Sequence, residues 1–295
     1  MRRLVVPVLL VLAVLAACAA WAAWEVTRFD LNSLARATPA TTALMRQRES
    51  EARAAGRPWT PDARVVPYDR ISPTLRRAVL IAEDDAFYSH DGLDWNEIRN
   101  AARKNLEKGR VIRGGSTITQ QLAKNLFLDG RRTLARKLEE AFLAVRLERA
   151  LSKRRIFELY LNRIEWGDEI FGAESASWRY FGVSCSDLTP RQAVLLAAVI
   201  INPRRFSVLD PDPRIERRVR IIASRMRGRG YLSDSEYRAA VGEAEPEAPH
   251  WWWPFGRPAP VETLPPLPPS APEDTTSSAP EDTTPSAPES LLDQP

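Results

Sequence analysis

Between residues 67 and 243 the apolar positions fall into successive runs with helical spacing, bounded by capping residues, and no alternating run is long enough for a strand. Ser72-Pro73, a capping serine with proline at the first helical position, predicts a helix over 74–82. Asp94 caps a helix that Gly109 ends, and Ser116 caps one over 117–128. A long helix follows over 133–151, and Ser152 caps the next over 153–164. Thr189-Pro190 repeats the cap-and-proline signal before an apolar helix over 191–201, and Ser233 with Glu236 makes a capping box for the last. The pattern predicts an all-α domain.

The flanks read differently. After Arg2-Arg3 comes an uncharged run of 21 residues, 4–24, which as a helix reaches roughly 30 Å, enough to span a bilayer core. The two arginines place the N-terminus in the cytoplasm and the rest outside, with Trp21 and Trp24 at the outer interface. Leu15-Ala16-Ala17-Cys18 is also similar to a lipoprotein box, which would leave a lipid on Cys18, while a cleaved signal peptide has a shorter apolar core. Residues 1–24 are thus expected to be a cytoplasmic tip and membrane anchor, and the polar stretch 25–66 a juxtamembrane stem. From 244 to 295 the chain is rich in Pro, Ser, Thr and Glu, with an imperfect repeat, and is too poor in apolar residues to fold alone. Its Trp251-Trp252-Trp253-Pro254-Phe255 cluster reads as a segment packing on the domain or as an aromatic wedge in the lipid interface.

Composition removes several classes. Two cysteines, Cys18 and Cys185, exclude a disulfide framework and a cysteine-based zinc site, and with only His90 and His250 a histidine-based metal centre is not expected. Neither a P-loop nor a dinucleotide-binding glycine motif occurs. The net charge of +4 is unevenly divided: the tail carries nine acidic residues against Arg257 alone, or −8, which leaves +12 on residues 1–243. A body this basic expects an anionic partner.

Three stretches carry candidate chemistry. Glu83-Asp84 follows an apolar helix, and a carboxylate withdrawn from water there has a raised pKa and can act as a general base, although an acidic pair at a helix end is also an ordinary cap. Gly114-Gly115-Ser116-Thr117 lets backbone approach a ligand and leads into a helix start that offers N–H groups to an anion, with Thr117, Gln121 and Lys124 on one face, which also reads as a solvated stripe. Arg131, Arg132, Arg136 and Lys137 precede Glu140; Arg136 and Glu140, four apart, read as an ordinary surface pair or as part of a cationic cluster beside a second carboxylate, which suits a reaction whose leaving group is a phosphate.

Together these stretches resemble the peptidoglycan glycosyltransferases of family 51, which polymerise lipid II. The family's first motif is matched at Glu83, Asp84, Phe87, His90 and Gly92, and the second is complete from Gly114 and Gly115 through Ser116, Thr117, Gln121 and Lys124 to Asn125. The third is Arg136, Lys137 and Glu140. The fourth runs through Lys153, Arg155, Ile156, Phe157, Glu158, Tyr160, Leu161 and Asn162, and the fifth ends in Asn202, Pro203 and Phe206. All five occur in order across residues 67–212.

The resemblance implies a lysozyme-like α domain over 67–243, behind one transmembrane helix, with a small lobe partly embedded in the membrane. It implies that Glu83 deprotonates the GlcNAc 4-hydroxyl of the acceptor lipid II. That oxygen attacks the anomeric carbon of the lipid-linked growing strand with inversion, giving a β-1,4 linkage, and undecaprenyl pyrophosphate departs. Glu140 is implied as the second essential carboxylate. Lys124, Arg132, Arg136 and Lys137 are implied as pyrophosphate-binding cations, and Ser116, Thr117, Gln121 and Asn125 as donor-site residues. A divalent cation, magnesium or manganese, is a candidate cofactor with Asp84 as its candidate ligand. The expected partners are lipid II, the growing strand and the inner membrane, with division or elongation proteins as candidates and no nucleic acid. Many relatives have glycine where this chain has Glu169, and a local loop change is expected there. No serine is followed by lysine three residues on, so no transpeptidase nucleophile is expected. A lysozyme-like hydrolase or lytic transglycosylase and a non-catalytic membrane scaffold are the competing readings; the cation cluster speaks against the first and the two glutamates against the second.

Overall fold

The computed structural model describes Ala13, Ala16, residues 28–108, 115–128, Gly130 and 133–243, without the side chains of Ala102, Lys104, Asn105, Leu106 and Lys108. The expected anchor over 4–24, apart from Ala13 and Ala16, lies outside the described residues, as do Gly114, Arg131, Arg132 and the tail with its tryptophan cluster. Among the described residues no helix is long and apolar enough to cross a membrane.

Ten α-helices occur among the described residues: α1 (Ala43–Ala54), α2 (Pro73–Glu83), α3 (Trp95–Lys108), α4 (Ile118–Phe127), α5 (Leu134–Ala150), α6 (Lys153–Arg163), α7 (Ala173–Phe181), α8 (Pro190–Val199), α9 (Pro213–Gly228) and α10 (Asp234–Val241). Their starts are set by side chains. Thr133, Ser152, Thr189, Asp212 and Ser233 each accept a hydrogen bond from a first-turn backbone N–H, satisfying donors that a helix start otherwise leaves open. The helix after the double glycine departs from expectation by one residue. Thr117, not Ser116, is its cap, and Gln120 reaches back to the Thr117 N–H to close a capping box. Ser116 is thereby left free of the helix start.

The helices form two groups. In one, α8 is apolar on every face and packs against α2, α9 and α10; Ala193 through Val199 are all buried. In the other, α4 is the centre and packs against α1, α5 and α6. Inside the expected stem, α1 therefore lies against the domain. The end of α2 meets α4, and that junction places the site.

A β-hairpin departs from the all-α expectation. Strands β1 (Glu165–Gly167) and β2 (Ile170–Phe171) pair antiparallel. They are too short to show alternation, and all their residues are buried, so both faces are occupied. Glu169, at the turn, adopts φ +60°, a left-handed conformation that costs a non-glycine residue roughly 1–2 kcal/mol. Its carboxylate accepts from the Thr60 N–H and hydroxyl, each at 3.1 Å, and its carbonyl accepts from Asp62 N at 2.8 Å. These bonds explain how glutamate occupies a position suited to glycine.

Candidate active site

Glu83 is the last residue of α2, where Ile81 and Val79 are buried and the chain turns into the Asp84–Gly92 loop. Its carboxylate accepts from Gln121 Nε2 at 3.1 Å on α4 and from Arg218 Nη2 at 2.7 Å on α9, and Arg218 also donates to Ala82 O at 3.1 Å. The Tyr160 hydroxyl donates to Gln121 Oε1 at 3.1 Å, which turns the amide so that its NH₂ group faces Glu83. Burial pushes the Glu83 pKa up, against the opposing pull of Arg218, Gln121 and Lys124. Burial, then the Glu83 and Asp84 charges, holds the Tyr160 phenol well above its usual range, so it stays a donor.

Asp84 organises the loop. It accepts from His90 Nε2 and, at 2.8 Å, from the Ile118 N–H at the start of α4. His90 Nδ1 accepts from Gly92 N, which puts the imidazole proton on Nε2, toward Asp84. Gly92 has φ +93°, and a Cβ there would lie 3.1 Å from the Ala144 backbone of α5, so only glycine fits. The Thr117 hydroxyl donates to Gly92 O at 2.6 Å as well as capping α4. Phe87 is fully buried, with Lys153 Nζ 4.4 Å from its ring centroid.

Two expectations change accordingly. Thr117 is buried in a capping and loop-closing role and does not line the cleft beside Gln121 and Lys124. Asp84 does not fit a metal ligand: His90 and the Ile118 N–H engage its carboxylate, and no group of three His, Cys, Asp or Glu side chains suited to a metal occurs among the described residues.

Glu140 lies one turn and a half inside α5 and is almost wholly buried. Arg136 Nη1 donates to its Oε2 at 2.7 Å, and Lys137 Nζ pairs with its Oε1. Lys137 also donates to Ser116 Oγ at 2.7 Å, which draws the double-glycine segment onto α5. The Nε of Arg136 is buried and, among the described residues, has no hydrogen-bond partner; the same holds for Arg218 Nε. Such unpartnered donors suit an anionic ligand.

Lys124, on α4, interacts electrostatically with both carboxylates. Burial lowers its pKa most; Glu140 opposes the shift, while the charges of Arg136, Lys137 and Arg48 reinforce it. Its charge also acts on Glu83. With Asn125 it lines two cavities of about 320 Å³ each, one holding Gln121, Tyr160 and Arg204, the other Arg136 and Gly130. The structure thus puts Gln121, Lys124, Asn125 and Arg136 on the walls of the two cavities, with Glu83 bonded to Gln121 and Glu140 bonded to Arg136 and to Lys137, which holds Ser116. Arg218 was not legible in the sequence, because it sits among Arg214, Arg217 and Arg220 with nothing in the spacing to connect it to Glu83. Tyr160 was visible only as a motif residue.

A family model described as Transglycosylase matches residues 52–227. The chain is 53% identical over 192 residues to a biosynthetic peptidoglycan transglycosylase of Laribacter hongkongensis, covering 64% of this chain and 82% of that protein. It is 47% identical over 188 residues to the protein of that name from Nitrosospira multiformis, covering 64% and 82%. Its identity to the Chromobacterium violaceum protein of that name is 53% over 161 residues, covering 55% and 71%.

Proposed function

The chain belongs to the transglycosylase family, and from that membership we propose how its cleft polymerises lipid II into peptidoglycan glycan strands. It is a peptidoglycan glycosyltransferase of cell-wall synthesis. Glu83 takes the proton of the acceptor's sugar hydroxyl as that oxygen attacks the anomeric carbon of the donor. The donor's diphosphate leaves into the field of Lys124, Arg136 and Lys137, with Ser116 and Asn125 beside it. Gln121 and Arg218 hold the base in place; burial makes it basic enough to accept a proton in the transition state.

The observation that carries this reading is Lys124, a half-buried cation that lines both cavities, with Gln121, the partner of Glu83, in one and Arg136, the partner of Glu140, in the other. A hydrolase with a sugar leaving group has no use for three cations at its second carboxylate, whereas a departing diphosphate needs them. We read residues 4–24 as the anchor that keeps the domain on the outer face of the cytoplasmic membrane. The exposed Leu134 and Leu138, one helical turn apart on α5, and Trp95 at the start of α3 are apolar surface that such a position would cover.

Purified full-length protein given lipid II should form polymer and release undecaprenyl pyrophosphate. Soluble fragments cut from finished peptidoglycan, with lipid II untouched, would reverse the assignment.

A further inference from the structure

Helix α1 lies in the stretch read as a stem, and the family match begins at residue 52, near its end. Yet α1 packs on α4 and supplies the outer wall of both cavities, with Leu44 and Arg48 facing Lys124 and Asn125 in each. Arg48 is clamped there. Its Nε and Nη2 donate to the two oxygens of Glu165 at 2.9 and 2.7 Å, and its Nη1 donates to Glu51 at 2.9 Å. Glu51 also pairs with Arg204 at 3.2 Å, from the loop after α8. Glu165 is buried at the start of the hairpin.

A buried ion pair of this kind contributes little net stability, since desolvation offsets the attraction. What the planar two-bonded pair does provide is a fixed distance and angle between the elements that carry it. Here those elements are α1 and β1, on the side of the cavities facing Lys124.

We propose that Arg48 is a positioning residue for donor binding: by locking α1 to Glu165 it sets the width of the cleft in which Lys124 and Asn125 receive the diphosphate. This rests on the reading of Lys124 as a diphosphate ligand. The segment joining the domain to the membrane is thereby part of the substrate site.

The test uses full-length protein and lipid II, with KM, kcat and thermal melting measured together. Arg48→Ala should raise KM about tenfold with kcat within about twofold, the pattern of lost binding common to ground and transition states. Arg53→Ala, on the same helix with an exposed pair to Glu49, should leave KM unchanged. Because Arg48→Ala strands a buried carboxylate, Arg48→Ala/Glu165→Gln keeps the proposal falsifiable: the lock is still missing, so KM should stay raised although melting recovers. Arg48→Glu/Glu165→Arg restores a pair and should bring KM back to within about threefold of the unaltered protein. A normal KM in Arg48→Ala, or in the Ala/Gln double variant, overturns the proposal, and so does failure of the reversed pair to lower KM. If the unaltered protein forms no polymer, the functional reading fails first and this one falls with it.

Discussion

The regions around Glu83 and around Glu140 hold their carboxylates in different ways. Glu83 closes a helix and has one guanidinium and one neutral amide as hydrogen-bond partners, and its burial outweighs them and the Lys124 charge, so its proton affinity rises. Glu140 lies inside a helix and is gripped by Arg136 and Lys137, which in turn holds Ser116. Taking up a proton at Glu83 relieves a desolvated charge at the expense of its pair with Arg218. In the proposed mechanism similar side chains serve opposite ends of one displacement: a proton acceptor for the incoming oxygen, and an anchor that aims cations at the outgoing one.

The largest effect that separates the ends is expected for Glu83→Gln. The amide keeps the shape but cannot take a proton, and turnover should fall by roughly 10²–10⁴. A decrease of only a few-fold would move the base elsewhere. Next comes Lys124→Ala, expected to raise KM and lower turnover by about ten- to hundredfold together, because the cation is used in binding and in departure. Lys124→Arg makes a pH test. The depressed Lys124 pKa means that its charge is lost below the ordinary lysine range as pH rises, so activity should decline on the alkaline side. Arginine stays charged there, and the decline should move to higher pH.

Arg218→Ala should act on the acid side. Arg218 lowers the Glu83 pKa against the larger effect of burial, so its loss raises that pKa further. The base is then protonated at higher pH, and the acid limb of kcat/KM should shift upward; an unmoved limb would show that Arg218 does not act through Glu83. The smallest effect is expected for deletion of 256–295, which should leave polymerisation of lipid II within about twofold, as a sequence so poor in apolar residues implies.

The helices and the motif positions were legible because caps and apolar spacing are local signals. Thr189-Pro190 and Ser233 with Glu236 sit where their residue types placed them. Ser116 and Thr117 exchanged roles, since either hydroxyl can cap and only the Thr117 bond to Gly92 O decides between them. The hairpin was hidden by its length and by burial on both faces. Arg218, Arg48 and Glu165 were missed for another reason. Each acts through a partner more than 100 residues away, and one arginine among many carries no mark of which carboxylate it meets.

The division of labour between the two ends is tested most directly by measuring lipid II affinity and turnover in Glu83→Gln and Lys124→Ala side by side. Glu83→Gln should bind lipid II within about twofold of the unaltered protein while turning over at least roughly a hundredfold more slowly, and Lys124→Ala should lose about tenfold in affinity. Equal loss of affinity in both variants, or normal turnover in Glu83→Gln, would contradict the account.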